Sequence, residues 1–186
     1  MKFTDAQVFW AAVEELDVPV YLHPAPPTRV AAADSYEAGL DEVVATRFAT
    51  AAWGWHNESG VHFVHLVLSG VFDRYPELQF VLGHWGEAVP WYLDRLDDAL
   101  PRRATGLDRT IGEYVRQNTY YTPSGMFTAP HLRFCTDVLG TDRMIHSVDY
   151  PFVGNAGSRA FLADSGLSED AQHDIAHRNA ERLLRL

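Results

Sequence analysis

Lysine is almost missing from this sequence. Of its 15 basic residues, only Lys2 is a lysine. Schiff-base and pyridoxal chemistry need a lysine in a pocket, so both are disfavoured. Cysteine occurs once, at Cys135. No intrachain disulfide can form, and a reducing cytoplasm is the expected compartment. Basic charge is scarce as well: 25 acidic residues leave a net charge of −10. A nucleic-acid groove and an anionic membrane surface both need a basic stripe, so neither partner is expected. No apolar run approaches the length of a membrane span, and the opening residues carry no signal-peptide pattern. The motifs G-x-S-x-G, P-loop and G-x-G-x-x-G are all absent.

What is present is a globular composition, 47% hydrophobic and 22% charged over 186 residues, which fits a single domain spanning 1–186. Thr4 and Gln7 have the spacing of a capping box for a helix running to about Leu16. Val18 to Leu22 reads as a strand ending at His23-Pro24. Tyr36 to Trp53 reads as mostly helical, with 54–60 as a connection and Val61 to Phe72 as the next helix. Leu78 to Leu82 is a buried strand, and Ala88 to Leu100 the helix after it. Thr110 to Arg116 is a short helix, and Thr119 to Thr122 a third strand ending at Pro123-Ser124-Gly125. Ala129 to Leu139 is helical, with Pro130 near its first turn. Arg143 to Val148 is a fourth strand ending at Asp149-Tyr150-Pro151. Helices over about 156–164 and 168–184 close the chain.

Four strands, each followed by helix and with no hairpin signal between them, describe a parallel α/β array. A full (β/α)8 barrel takes about 250 residues. The expected fold is therefore half of one.

Three strand ends carry groups able to bind a metal or move a proton: His23, His84 and Asp149. The carboxyl edge of parallel strands is where chemistry collects. Imidazole nitrogen with carboxylate oxygen suits zinc or a manganese-type ion. Glu87 follows His84 by three residues in Gly83-His84-Trp85-Gly86-Glu87 and is placed to orient the imidazole. His56 and Glu58 are candidates for a pocket mouth, with Trp85 and Phe152 as further candidate substrate contacts. His62 and His65 sit one helical turn apart and read most simply as a polar helix face. The tryptophans read as core more readily than as a platform for an aromatic ligand.

Five segments recur together and in order: Val20-Tyr21-Leu22-His23-Pro24, Gly54-Trp55-His56 through His62, Leu68 through Pro76, Leu82 through Glu87, and Ser147 through Phe152. With the closing Ile175 to Leu184, they make the chain resemble the amidohydrolase-type metal-dependent decarboxylases, such as γ-resorcylate and 2,3-dihydroxybenzoate decarboxylases. The resemblance implies the C-terminal half of a TIM barrel and one divalent ion, Zn or Mn. It makes His23 and Asp149 metal ligands, and His84, Asp149 and Glu87 the catalytic group. It implies nonoxidative loss of carbon dioxide from a small aromatic carboxylic acid. A metal-dependent hydrolase and a non-catalytic half-barrel remain the alternatives. The family's first strand gives the metal an E-x-H or H-x-H pair, and only one helix precedes the His23 strand here. A homo-oligomer, or a complement to a missing N-terminal half, is the expected assembly.

Overall fold

The computed structural model describes residues 6–186, so the proposed Thr4 cap lies outside the described residues. Helix α1 (Gln7–Leu16) leads into strand β1 (Val20–Leu22), and strands β2 (Phe80–Leu82) and β3 (Thr119–Tyr121) follow. The three pair in parallel in the order β1-β2-β3, with Leu22 opposite Leu82 and Leu82 opposite Tyr121. The central strand is buried throughout, as parallel strands ordinarily are.

The fourth strand is reduced to one parallel bridge between Tyr121 and Met144. Tyr121 N–H donates to the Arg143 carbonyl at 2.9 Å, and Ile145 N–H returns to the Tyr121 carbonyl at 3.0 Å. The next amide, His146, donates instead to the Ile175 carbonyl at 2.9 Å. The ladder stops there because the closing helix takes the donor the sheet would have used. The expected four-stranded array is thus three strands plus a fourth position in register.

The 36–53 helix is also corrected. Gly39, at φ 75°, breaks it, and the side chain of Asp41 caps a new helix, α2 (Glu42–Arg47). A wide turn follows over Phe48–Ala52, where Thr50 leaves helical geometry and its hydroxyl bonds back to the Thr46 carbonyl at 2.6 Å. This back-bonding bends helices. The 54–60 segment is not a connection, because helix α3 (Gly54–Leu68) begins at Gly54. A Cβ on Gly54 would lie 2.2 Å from the Ala49 carbonyl oxygen, so this glycine allows close backbone approach. Helix α3 ends at Ser69-Gly70, with Gly70 left-handed, and a short turn of helix, Val71–Arg74, follows. Beyond the β2 turn, Val89–Tyr92 forms a tight 3-10 turn before helix α4 (Leu93–Ala99).

Helix α5 (Ile111–Asn118) carries the Thr110–Glu113 capping box, and helix α6 (Ala129–Leu139) has proline in its first turn. Helix α7 (Ser158–Ala163) and the rod formed by Glu169–His173, Asp174–Arg178 and Asn179–Leu184 complete the chain. The core joins the inner sheet to the helices through Phe63, Phe72, Phe80 and Tyr114. Phe72 and Phe80 meet edge-on at 5.4 Å between ring centroids. Cys135 is buried against this core, and burial pushes its thiol up to about 12. It behaves as a small hydrophobe. Among the described residues no helix is long and apolar enough to cross a membrane.

Candidate functional site

The turn after β2 is conformationally unusual. His84, Trp85, Gly86, Glu87 and Ala88 all have φ between 45° and 80°. Only one of the five is glycine, and left-handed backbone costs the other four. Asp149, at φ 67°, and Ser124, at φ 43°, repeat the feature at the neighbouring strand ends. Strain of this kind persists only where the surroundings over-determine it, and it gathers at functional sites. Here the Trp85 amide donates to the Thr122 carbonyl at 2.8 Å, and its indole Nε1 donates to the Met126 carbonyl at 2.8 Å. Trp85 therefore ties the turn to the end of β3.

This backbone aims two side chains at each other. His84 Nδ1 donates to Glu87 Oε1 at 2.8 Å. The Glu87 side chain is fully buried, and its other oxygen accepts from His56 Nδ1, also at 2.8 Å. The two imidazole rings lie 4.4 Å apart, edge to face. His56 reaches the carboxylate from the first turn of α3. Its Nε2 lies 3.1 Å from both the Trp55 indole nitrogen and the Ala51 carbonyl oxygen. A neutral ring accepts from the indole, and a protonated ring donates to the carbonyl. Burial works to lower the His56 pKa, but the bond to Glu87 and its charge outweigh it, and the group ends above its ordinary value.

On its other side, His84 Nε2 lies 3.9 Å from Asp149 Oδ2. His23, His56, His84, Asp149 and Phe152 line one cavity of about 430 Å³, together with Ser124 and Met126. Three residues read from separate strand ends thus share one space. Glu58 stands apart: the Tyr36 hydroxyl donates to its Oε1 at 3.4 Å, and it does not line this cavity. Trp85 lines a neighbouring cavity of about 490 Å³ that meets the first at His56, His84 and Met126. Trp53 and Trp91 line that second cavity and are largely exposed, so neither is the core residue its sequence suggested. His62 and His65 lie on the exposed face of α3.

Donor chemistry tests the site against a divalent ion. His23 Nδ1 lies 2.9 Å from the Pro24 carbonyl oxygen and donates to it, which leaves Nε2 as the lone-pair nitrogen. Metal-binding imidazoles almost always anchor their second nitrogen in this way. His23 and Asp149 bring an imidazole and a carboxylate, both ligand types for a divalent ion, to the same cavity. His56, His84 and Glu87 also bring ligand-type atoms within 4.8 Å of one another. Both Nδ1 atoms of that group meet the carboxylate, so an ion there would use the Nε2 atoms or replace those bonds.

The amidohydrolase family model matches residues 3–186. The chain belongs to the amidohydrolase family. Decarboxylase orsB of Emericella nidulans is 36% identical, over 98% of this chain and 56% of its own length. A Staphylococcus aureus protein described as an amidohydrolase superposes with a TM-score of 0.93 at 40% identity, covering 96% of this chain and 58% of that one. A dihydroxybenzoic acid decarboxylase from Polaromonas sp., solved with bound manganese and the inhibitor 2-nitroresorcinol, gives 0.86 at 32% identity, over 96% of this chain and 53% of its own. The chain spans a little over half the length of these amidohydrolase relatives. Sequence reasoning brought His23, His84 and Asp149 to one rim, and they do line one cavity, but it missed the bond from His56 to Glu87 and the lining residues Ser124 and Met126. The Pro-Ser-Gly ending of β3 was the available signal for Ser124.

Proposed function

We propose that the chain carries the strand-end site of a metal-dependent decarboxylase acting on a hydroxybenzoate-like aromatic acid. The observation that supports this most directly is the shared cavity of His23, His84 and Asp149, with His84 Nε2 3.9 Å from Asp149. The names of the relatives, orsB and the dihydroxybenzoate enzyme, agree with it.

A manganese or zinc ion held by His23 and Asp149 would supply positive charge for the substrate carboxylate and an ortho hydroxyl. His84, kept with its proton on Nδ1 by Glu87, has Nε2 as its exchangeable position on the cavity side. Asp149 or a protonated His84 hands a proton to the ring carbon bearing the carboxylate. The bond from that carbon to the carboxylate then breaks, its electron pair returns to the ring, and carbon dioxide leaves. Phe152 and Met126 give the ring an apolar wall.

The test incubates the purified chain with manganese and carboxyl-labelled 2,6-dihydroxybenzoate. Release of labelled carbon dioxide that a chelator abolishes is expected. Hydrolysis of an aryl ester with no carbon dioxide from the acid would overturn the reading. The mass of the active species in solution reports the assembly, since β1 lies at one edge of the sheet among the described residues, with Tyr21 48% exposed.

A further inference from the structure

Glu87 can accept from donors on both of its oxygens, and His84 accounts for only one. We propose that His56 is a positioning residue that acts on His84 through Glu87, holding that carboxylate oriented so that the His84 proton stays on Nδ1. The assignment deepens the proposed function, because it takes from it the task of His84. The geometry beneath it stands independently.

Three observations carry it. The two bonds to Glu87 are equal in length, 2.8 Å each, and go to different oxygens of a fully buried side chain. A buried carboxylate is tolerable when hydrogen bonds replace its lost hydration, and here each imidazole replaces part. Second, His56 is itself held in place, because its Nε2 sits between the Trp55 indole and the Ala51 carbonyl. Third, the helix that carries it is pressed onto the same turn. Gly60, one turn after His56, lies so close to the Glu87 carbonyl that a Cβ there would sit 2.6 Å from the oxygen. One face of α3 thus fixes both the backbone and the side chain of Glu87.

The consequence is a choice of tautomer. With the Glu87 carboxylate oxygen as the acceptor, His84 Nδ1 donates and Nε2 is left bare toward Asp149. Without the His56 donor, one hydrogen bond rather than two fixes the direction of the carboxylate. A carboxylate turned away from His84 no longer holds the proton on Nδ1, and the ring can carry it on Nε2 instead. Nε2 would then have no lone pair with which to take up the proton that His84 hands to the substrate.

The experiment compares the wild-type chain with His56→Ala and His56→Asn. The asparagine amide nitrogen falls near the position of Nδ1 and can donate to Glu87. In ¹⁵N-imidazole NMR of the metal-free chain, wild type and His56→Asn should show His84 protonated on Nδ1. His56→Ala should shift that population toward Nε2. Zinc affinity by calorimetry should be unchanged in all three. With dihydroxybenzoate, kcat should fall about 10–100-fold in His56→Ala with KM unchanged, and recover in His56→Asn. If His56→Ala fails to fold, His56→Leu takes its place as the variant without a donor. An unchanged His84 tautomer in the donor-less variant would overturn the proposal. So would a loss of zinc affinity greater than about 100-fold in both substitutions, beyond the range of outer-shell changes, which would make His56 a ligand. If no variant and no wild type releases carbon dioxide, the proposed function fails and the NMR comparison still decides the role of His56.

Discussion

Gly60 and Glu87 meet backbone to backbone: a Cβ on the glycine would lie 2.6 Å from the glutamate carbonyl oxygen. Gly60 is in mid-helix, where alanine is ordinarily favoured over glycine by about 0.5–1 kcal/mol. Here the contact reverses that preference. Gly60→Ala should cost about 1–3 kcal/mol, the usual range for overpacking, and should lengthen the bond from His56 to Glu87. Gly154→Ala is the control, since nothing lies within 4 Å of a Cβ built there. Urea denaturation of the two variants checks this. Equal stabilities would mean that α3 can slide off the turn freely.

The same contact explains what the sequence could and could not disclose. His23, His84 and Asp149 were legible because each stands at the end of an apolar run, and strand ends of parallel sheets share a rim. The span 54–60 misled because glycines at 54 and 60 suggest a connection. They are in fact the positions where a helix approaches other backbone. The Arg143–Val148 run was equally misleading. Its apolar pattern is strand-like, but whether residue 146 pairs with the sheet depends on Ile175, almost thirty residues later. No local pattern encodes that competition. The partnership of His56 with Glu87 is hidden for the same reason, since it depends on the angle at which α3 crosses the turn.

Metal affinity should separate ligands from their supports. His23→Ala and Asp149→Asn should weaken Mn²⁺ binding by more than the about 10–100-fold typical of outer-shell changes. Glu87→Gln should stay at or below that range, because Glu87 meets imidazole nitrogens and not the expected ion position. Titration followed by electron paramagnetic resonance measures all three. A Glu87→Gln loss larger than that of His23→Ala would shift the ion toward the His56–His84–Glu87 group.

Two histidines should bend the pH dependence of stability in opposite directions. The His56 pKa is raised in the folded chain, since Glu87 outweighs burial. Its contribution is full below the unfolded value of about 6.5 and is lost as pH rises through the folded value. The His146 pKa is lowered by burial. Its contribution is present above about 6.5 and lost as pH falls through the folded value. Replacing His56 with asparagine should therefore steepen the loss of stability on acidification, and replacing His146 with asparagine should flatten it. Denaturation midpoints between pH values of about 5 and 8 check both, the window in which histidine titrates. Parallel curves for wild type and both variants would contradict the two assignments together.

Asn179 is bonded to the segment that leads to Asp149. Its side chain is fully buried, and its amide nitrogen donates to the Thr141 carbonyl at 2.8 Å and the Met144 carbonyl at 2.6 Å. The Arg182 guanidinium donates to its oxygen. These bonds hold a segment that reaches the sheet through a single bridge, and Asp149 follows Met144 by five residues. Asn179→Ala removes the donor and leaves two carbonyls short of a partner, at a cost of about 1–3 kcal/mol. Asn179→Asp is nearly the same size but turns the donor into an acceptor facing two carbonyl oxygens. Size alone would make aspartate the milder change, whereas electrostatics makes it the harsher one. Asn179→Asp should therefore be the less stable of the two at neutral pH, with faster amide exchange over residues 143–149 and weaker Mn²⁺ binding through Asp149. Aspartate matching wild type would mean that the 141–144 carbonyls are satisfied by something other than this amide.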